Sequence, residues 1–269
     1  MWTIEIIIAL LTVGSAAGLI AGLFGLGGGT LIVPLMLWIL QLQGMANHPY
    51  AQHMAIGTSF AVMVFTAFSS VIAQHRKQSI DWPTVWRMAP GMIAGVFIGS
   101  ATAKYIPTVP LQIFFIVFIT ACAIKTLTGT NPKAARQLPG TPALASVGGL
   151  FGAASSWVGI GGGALTVPFL VYCNMPHLRA VGTSSGLAWP IAVTGTISYI
   201  FTGLNVANLP SGTFGFVYLP ALAVLSVATI IFAPIGVRFG HKLPKHVQQR
   251  AFGFLLLLIA IRMAWQVWH

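Results

Sequence analysis

Two apolar stretches, GLFGLGGGTLIVPL (Gly22–Leu35) and SWVGIGGGALTVPF (Ser156–Phe169), each carry a glycine triplet and a proline where a membrane-length helix ought to run. Aligned without gaps, they share Gly25 and Gly159, the triplets Gly27-Gly28-Gly29 and Gly161-Gly162-Gly163, Leu31 and Leu165, Val33 and Val167, and Pro34 and Pro168. Glycine costs a helix interior about 1 kcal/mol and proline about 3 kcal/mol. In hydrocarbon an interrupted backbone must also find partners for its freed amides and carbonyls. It is tolerated only where it is buried in protein or borders an aqueous cavity. The fold must therefore shelter two matched breaks.

That these breaks lie in a membrane follows from the supply of residues. The chain is 57% hydrophobic and 6% charged, whereas a soluble domain carries about 25% charged residues. Long apolar runs cover Ile4–Phe24, Met54–Ala73, Met88–Ala103, Leu111–Leu127, Leu187–Phe201, Phe214–Ala233 and Ala251–Trp268. Several reach the ~20 residues that a bilayer-spanning helix needs. The fold class is an all-α polytopic membrane protein. The N-terminal run is expected to belong to the fold rather than to a cleaved signal: MWTIEIII lacks a basic leader, and Gly14 and Gly18 match Gly148 and Gly152.

Thirteen Lys and Arg face two acids, Glu5 and Asp81. In a membrane chain this balance points to cytoplasmic loops and anionic lipid rather than to nucleic acid. Cys122 and Cys173 form no spaced motif and are expected as buried thiols. No metal-ligand cluster, catalytic triad or HExxH helix is evident. The chain is therefore expected to be no enzyme and to need no cofactor.

The duplication extends beyond the glycines. Ala55-Ile56-Gly57-Thr58-Ser59 parallels Ala180-Val181-Gly182-Thr183-Ser184, and Gln112, Phe115 and Lys125 parallel Gln249, Phe252 and Arg262. Two halves follow, 1–130 and 141–269, joined by a polar connector at 131–140. In the first half Arg76, Lys77 and Arg87 surround the loop after the Gly-Thr-Ser helix; the matching loop of the second half, Gly203–Gly212, has no Lys or Arg. The next loop reverses this. Residues 104–110 hold only Lys104, while 238–250 hold Arg238, Lys242, Lys245 and Arg250. Positive loops mark the cytoplasm, so the halves are predicted to be inverted-topology repeats with both termini outside it. Five segments per half are expected: roughly 4–24, 29–42, 52–73, 86–105 and 109–128, then 141–157, 163–174, 179–202, 214–238 and 246–268. Segments 29–42 and 163–174 are short, and either thin spans or re-entrant hairpins would satisfy the loop sides.

Paired breaks in inverted repeats are a pointer to a transporter's central site. Gly27-Gly28-Gly29 would open the backbone so that the next helix starts near Thr30, its free amides carrying about half a positive charge. Gly161-Gly162-Gly163 would do the same from the other side. The alternative for glycine is close helix packing, which suits Gly14-Gly18-Gly22 and Gly91-Gly95-Gly99. The hydroxyls of Thr58, Ser59, Thr183 and Ser184 could donate to an oxyanion or bond back to their own helix. His53 and His177 precede the two Gly-Thr-Ser motifs and could titrate in a pathway. Lys125 and Arg262 either snorkel to headgroups or stand at its mouth. A pathway carboxylate, which proton or cation coupling normally wants, is not evident.

The paired GLGGGxLxVP and GIGGGxLxVP segments, each followed by a Gly-Thr-Ser helix, resemble the TauE/SafE (TSUP) sulfite-exporter-like permeases over nearly the whole chain. The resemblance implies an inner-membrane permease for sulfite or small organosulfonates. It assigns Gly27, Gly28, Gly29, Thr58 and Ser59, with Gly161, Gly162, Gly163, Thr183 and Ser184, to a central site. Thr30 faces Ala164 across the repeat, so the half-sites need not be equal. A channel, a carrier of another small sulfur compound, a cation transporter and a scaffold stay open as alternatives. The partners expected are a small sulfur-containing anion and lipid.

Overall fold

A computed structural model describes residues 4–25, 27–42, 45, 48–128, 138–206 and 209–268. The connector expected at 131–140 lies outside the described residues up to 137, as does the side chain of Glu5. Ten helices and one hairpin follow in order among the described residues: α1 (Ile4–Phe24), α2 (Gly29–Leu42), α3 (Ala51–Arg76), α4 (Trp82–Ala103), α5 (Thr108–Leu127), α6 (Thr141–Val158), α7 (Gly163–Tyr172), α8 (His177–Gly203), β1 (Thr213–Phe214), β2 (Val217–Tyr218), α9 (Leu219–Gly240) and α10 (Lys245–Trp268). Each segment expected from the sequence is helical over most of its length. Among the described residues four stretches are long and apolar enough to cross a membrane: Ala51–Arg76, Thr108–Leu127, Leu219–Gly240 and His246–Trp265. The apolar exterior fits lipid: Phe254, Leu258, Phe201, Trp86 and Leu150 are exposed by 63% to 72%.

Local chemistry sets the helix ends. Asp81 caps α4 by accepting from the Thr84 amide at 3.2 Å, and Pro83 sits in the first turn, where its missing N–H costs nothing. That cap explains why α4 begins at Trp82, earlier than the apolar run alone suggests. The main departure is at 213–218. The sequence reads as helix from 214, but the chain forms an antiparallel hairpin there, and α9 starts at Leu219. Gly215 holds φ +57. Phe216 is fully buried, its ring 5.3 Å from that of His53 and 5.4 Å from that of Tyr50. The apolar Phe-Gly-Phe composition that suggested a helix serves this inserted plug instead.

Glycine ridges govern the helix pairings. Gly14, Gly18 and Gly22 of α1 lie against Ala228, Thr229 and Ala233 of α9; a methyl on Gly22 would sit 2.0 Å from the Ala233 carbonyl oxygen. Gly91 and Gly95 of α4 lie as close to Ala145 and Gly149 of α6. Small residues here admit backbone contact that any side chain would block. Around these two pairs, α3 packs on α8 and α5 on α10; α2 packs on α3 as α7 packs on α8, and α3 on α9 as α4 on α8. Exchanging the first five helices with the last five maps each of these pairings onto another or onto itself.

Candidate functional site

Both glycine stretches interrupt the helix. α1 ends at Phe24, and Gly25 follows at φ +69, its amide bonded to the Ala21 carbonyl at 3.0 Å. α6 ends at Val158, and Gly159 follows at φ +75, its amide bonded to the Ser155 carbonyl at 2.8 Å. A left-handed residue after the last helical position is the usual glycine stop. The restart is matched as well. The Leu31 and Ile32 amides bond the Gly28 carbonyl, and the Leu165 and Thr166 amides bond the Gly162 carbonyl. The Gly29, Thr30, Gly163 and Ala164 amides therefore precede the helical ladder. Pro34 and Pro168 lie inside α2 and α7. Each lacks the N–H that would reach the carbonyl four residues back, at Thr30 and Ala164. Each break thus leaves first-turn amides and one carbonyl outside the helical ladder.

The Gly-Thr-Ser motifs cross between the halves. Ser59 Oγ on α3 donates to the Gly159 carbonyl at 3.0 Å, and Ser184 Oγ on α8 donates to the Gly25 carbonyl at 3.0 Å. Each serine therefore holds the helix stop of the other half. The threonines do similar work one residue earlier. Thr58 Oγ1 accepts the Tyr218 amide at 2.9 Å, just ahead of α9, and Thr183 Oγ1 accepts the Asp81 amide at 2.9 Å, just ahead of α4. The glycines let these loops approach: a methyl on Gly57 would meet the Phe216 carbonyl oxygen at 2.8 Å, and one on Gly182 the Ser79 carbonyl oxygen at 2.4 Å. These four hydroxyls bond neither their own helices nor open space.

The two breaks differ in what lies beside them. Gly29 is wedged shut: a methyl there would lie 2.1 Å from the Gly159 carbonyl oxygen, 2.8 Å from Met63 Sδ and 3.0 Å from Ser59 Oγ. Gly27 abuts Met63, and Gly28 holds φ +91. Thr30, Val33 and Ile56 around them are fully buried. Gly163, by contrast, lines a cavity of about 390 Å³. This cavity runs the length of α7, from Gly163 and Ala164 to Tyr172, and is also lined by Phe24, Phe151 and Phe252. Its polar groups are Lys125, Thr126, His177, Gln248 and Gln249. His177 Nε2 meets Gln248 Oε1 at 3.1 Å. Amides ahead of a helical ladder at one end and a lysine at the other give the cavity a positive bias.

Of the residues singled out from sequence, Gly163, His177 and Lys125 line this cavity, while Gly161 and Gly162 are buried just before it. The other candidates are not among its lining residues. His53 is 1% exposed, its Nε2 2.8 Å from the Ala103 carbonyl, and Arg262 lies over the Trp38 ring at 6.0 Å. Sequence reasoning passed over Gln248, Phe24 and Phe151, and met Phe252 only as a repeat partner of Phe115. Gln249 had surfaced as a repeat partner, and its neighbour Gln248 stands out as a second polar residue at the start of an apolar helix. Asp81 bridges Arg179 at 2.6 Å besides capping α4. No group of three or more His, Cys, Asp or Glu among the described residues could hold a metal ion.

Interrupted helices bordering a sheltered cavity, in a chain of apolar helices, define a multi-pass membrane protein of the transporter class. The family model for sulfite exporter TauE/SafE matches residues 10–263. The chain belongs to this family of membrane transporters. A "Probable membrane transporter protein" of Haemophilus influenzae is 31% identical over 259 residues, covering 96% of this chain and 97% of the relative. Another of Methanocaldococcus jannaschii is 27% identical, covering 89% and 88%. "Sulfite exporter TauE/SafE family protein 5" of Arabidopsis thaliana is 26% identical over 110 residues, covering 41% of this chain and 23% of its own length. No solved structure matches the chain.

Proposed function

We propose that the protein is a secondary transporter that moves sulfite or a related small organosulfonate anion across the inner membrane, in the direction of export. One observation carries this reading. Two matched helix breaks differ in access: the second opens onto a positively biased cavity, and the first is sealed against Gly159. A channel would need both to be accessible together, whereas a transporter exposes one at a time. The aromatic walls favour the organosulfonates within this class, because a bare oxyanion gains nothing from apolar contact.

In this reading 1–130 and 141–269 are inverted halves joined by 131–140, and both termini lie outside the cytoplasm. The cavity mouth in this reading lies between the end of α5 and the starts of α8 and α10, on the side of the basic loop 238–250. It therefore faces the cytoplasm. Gly27, Gly28, Gly29 and Thr30, with Gly161, Gly162 and Gly163, supply the backbone of the central site. Ser59 and Ser184 hold the two breaks against one another, and Thr58 and Thr183 hold the chain that leads into α9 and α4. Lys125 and His177 stand on the approach; Arg262 is the first-break equivalent of Lys125, and His53 lies one residue after that of His177.

The test is flux into proteoliposomes of sulfite, sulfoacetate, taurine and thiosulfate, measured side by side. Saturable, counter-ion-dependent exchange of at least one sulfur anion is expected. Linear, rapid conduction, or no flux of any of them, would sink the proposal.

A further inference from the structure

The closed break carries an oddity of its own. Thr30 Oγ1 and both amide atoms of Gln52 are buried and have no hydrogen-bond partner, and both residues are 0% exposed. Burying unpaired polar atoms is costly, and an apolar side chain of the same shape avoids that cost. Such residues make sense in a core that is not always closed.

Repeat register says where they belong. Aligned through the glycine triplets, Thr30 corresponds to Ala164; aligned through the Gly-Thr-Ser motifs, Gln52 corresponds to His177. Ala164 and His177 both line the open cavity. The correspondence continues at the mouth. Lys125 matches Arg262, and Tyr172 matches Trp38; Lys125 and Tyr172 line the cavity, and Arg262 lies over Trp38. Along α2 therefore runs the same series found along α7: first-turn amides with a polar or small residue, a polar group on the neighbouring helix, and a cation beside an aromatic ring. The difference is packing. Val33 and Phe115 are fully buried, while their equivalents Val167 and Phe252 are half-buried and border open space.

We propose that Thr30, Gln52 and Arg262 mark a second anion-accepting chamber along α2, shut in this structure, which opens toward the opposite face when the α7 cavity closes. The inference rests on the transport reading for what the chamber carries, but its existence can be tested without any substrate. When the chamber opens, Gln52 and Thr30 gain water or the anion as partners. When it shuts, they lose them, which tilts the closed state toward reopening.

Two measurements on the full-length protein decide it. Gln52→Leu removes the unpaired amide while keeping the volume, so the midpoint of thermal unfolding in detergent is expected to rise by several degrees while sulfonate exchange falls severalfold. A variant that is destabilised, or stabilised with exchange unchanged, would overturn the proposal. The second measurement uses Gln52→Cys in a chain carrying Cys122→Ala and Cys173→Ala, since neither of those two thiols is held in a disulfide. A membrane-impermeant maleimide is applied from the non-cytoplasmic face, with and without Ala164→Trp, which fills the open cavity. Labelling is expected to quicken severalfold with the cavity filled; equal rates would refute the chamber. If the wild-type protein moves no anion, the transport reading fails while the labelling still reports on the chamber.

Discussion

Gly29→Ala and Gly163→Ala place the same methyl on the same position of two matched helices, and the structure predicts very different results. At Gly29 the new carbon would sit 2.1 Å from the Gly159 carbonyl oxygen, whereas ordinary contact begins at 3.4 Å. The intruded atom is backbone, so no rotamer change relieves the clash, and one break must retreat by more than 1 Å. Overpacking of this kind costs about 1–3 kcal/mol. The retreat also pulls Gly159 from Ser59 Oγ, 3.0 Å away, and a buried acceptor that loses its donor costs about 1–3 kcal/mol more. Gly163 borders the cavity, so a methyl there has room, and at the first residue of α7 alanine recovers at most part of the about 0.5–1 kcal/mol it is worth in a helix interior. Thermal unfolding in detergent should therefore show Gly29→Ala well below the parent and Gly163→Ala at or slightly above it. Exchange in proteoliposomes should drop in both, through a distorted break in the first and a narrowed cavity in the second. Equal midpoints for the two variants would refute the claim that one break is sealed and the other open.

Three further outcomes follow from the same contacts. Ser59→Ala and Ser184→Ala each strip the donor from a buried helix-stop carbonyl, so each should lower stability by about 1–3 kcal/mol and by similar amounts; denaturation midpoints equal to the parent would contradict the cross-bracing. Asp81→Asn keeps a capping oxygen but loses the bridge to Arg179, whose side chain is 54% exposed; the loss should stay within about 1 kcal/mol and vanish in high salt, while Asp81→Ala should add a cap loss of about 0.5–2 kcal/mol that salt leaves unchanged. His241, which meets Gln74 Oε1 at 3.0 Å, has its pKa lowered from 6.5 by burial and by the nearby Lys77 charge. The unfolded chain therefore takes up the proton first, and stability should fall as pH drops through 6.5 toward the lower folded value; His241→Gln should flatten that part of the pH–midpoint curve.

How much of this could be read from the residues differs by feature. The helices were legible because apolar runs and glycine–proline punctuation act locally. Gly25 and Gly159 stop helices for reasons present within a few residues of chain. The hairpin at 213–218 was not legible, because Phe214 and Phe216 are as apolar as helix residues, and only the pocket formed by Tyr50, His53 and Tyr199 makes a buried plug of Phe216. The partners of Ser59 and Ser184 lie 100 and 159 residues away in sequence. A hydroxyl in an apolar helix has several plausible acceptors, and no local rule selects a carbonyl in the other half. The inequality of the two breaks was foreshadowed only by Thr30 against Ala164.

The cross-bracing bears directly on how a cavity at one break can be linked to closure at the other. If each serine bonded its own half, the two breaks could move separately. Instead α3 holds the stop of α6 through Ser59, and α8 holds the stop of α1 through Ser184. Thr58 and Thr183, one residue before the serines, hold the chain that leads into α9 and α4. α9 and α4 in turn pack on α1 and α6 along glycine ridges that admit backbone contact. A displacement of α3 relative to α8 is therefore delivered to both stops and to both ridge pairs at once. Close-packed interfaces of this kind have few alternative arrangements rather than a continuum. In the transport cycle proposed above, coupling between the breaks would follow from which half each hydroxyl bonds, without a charged residue in the membrane interior.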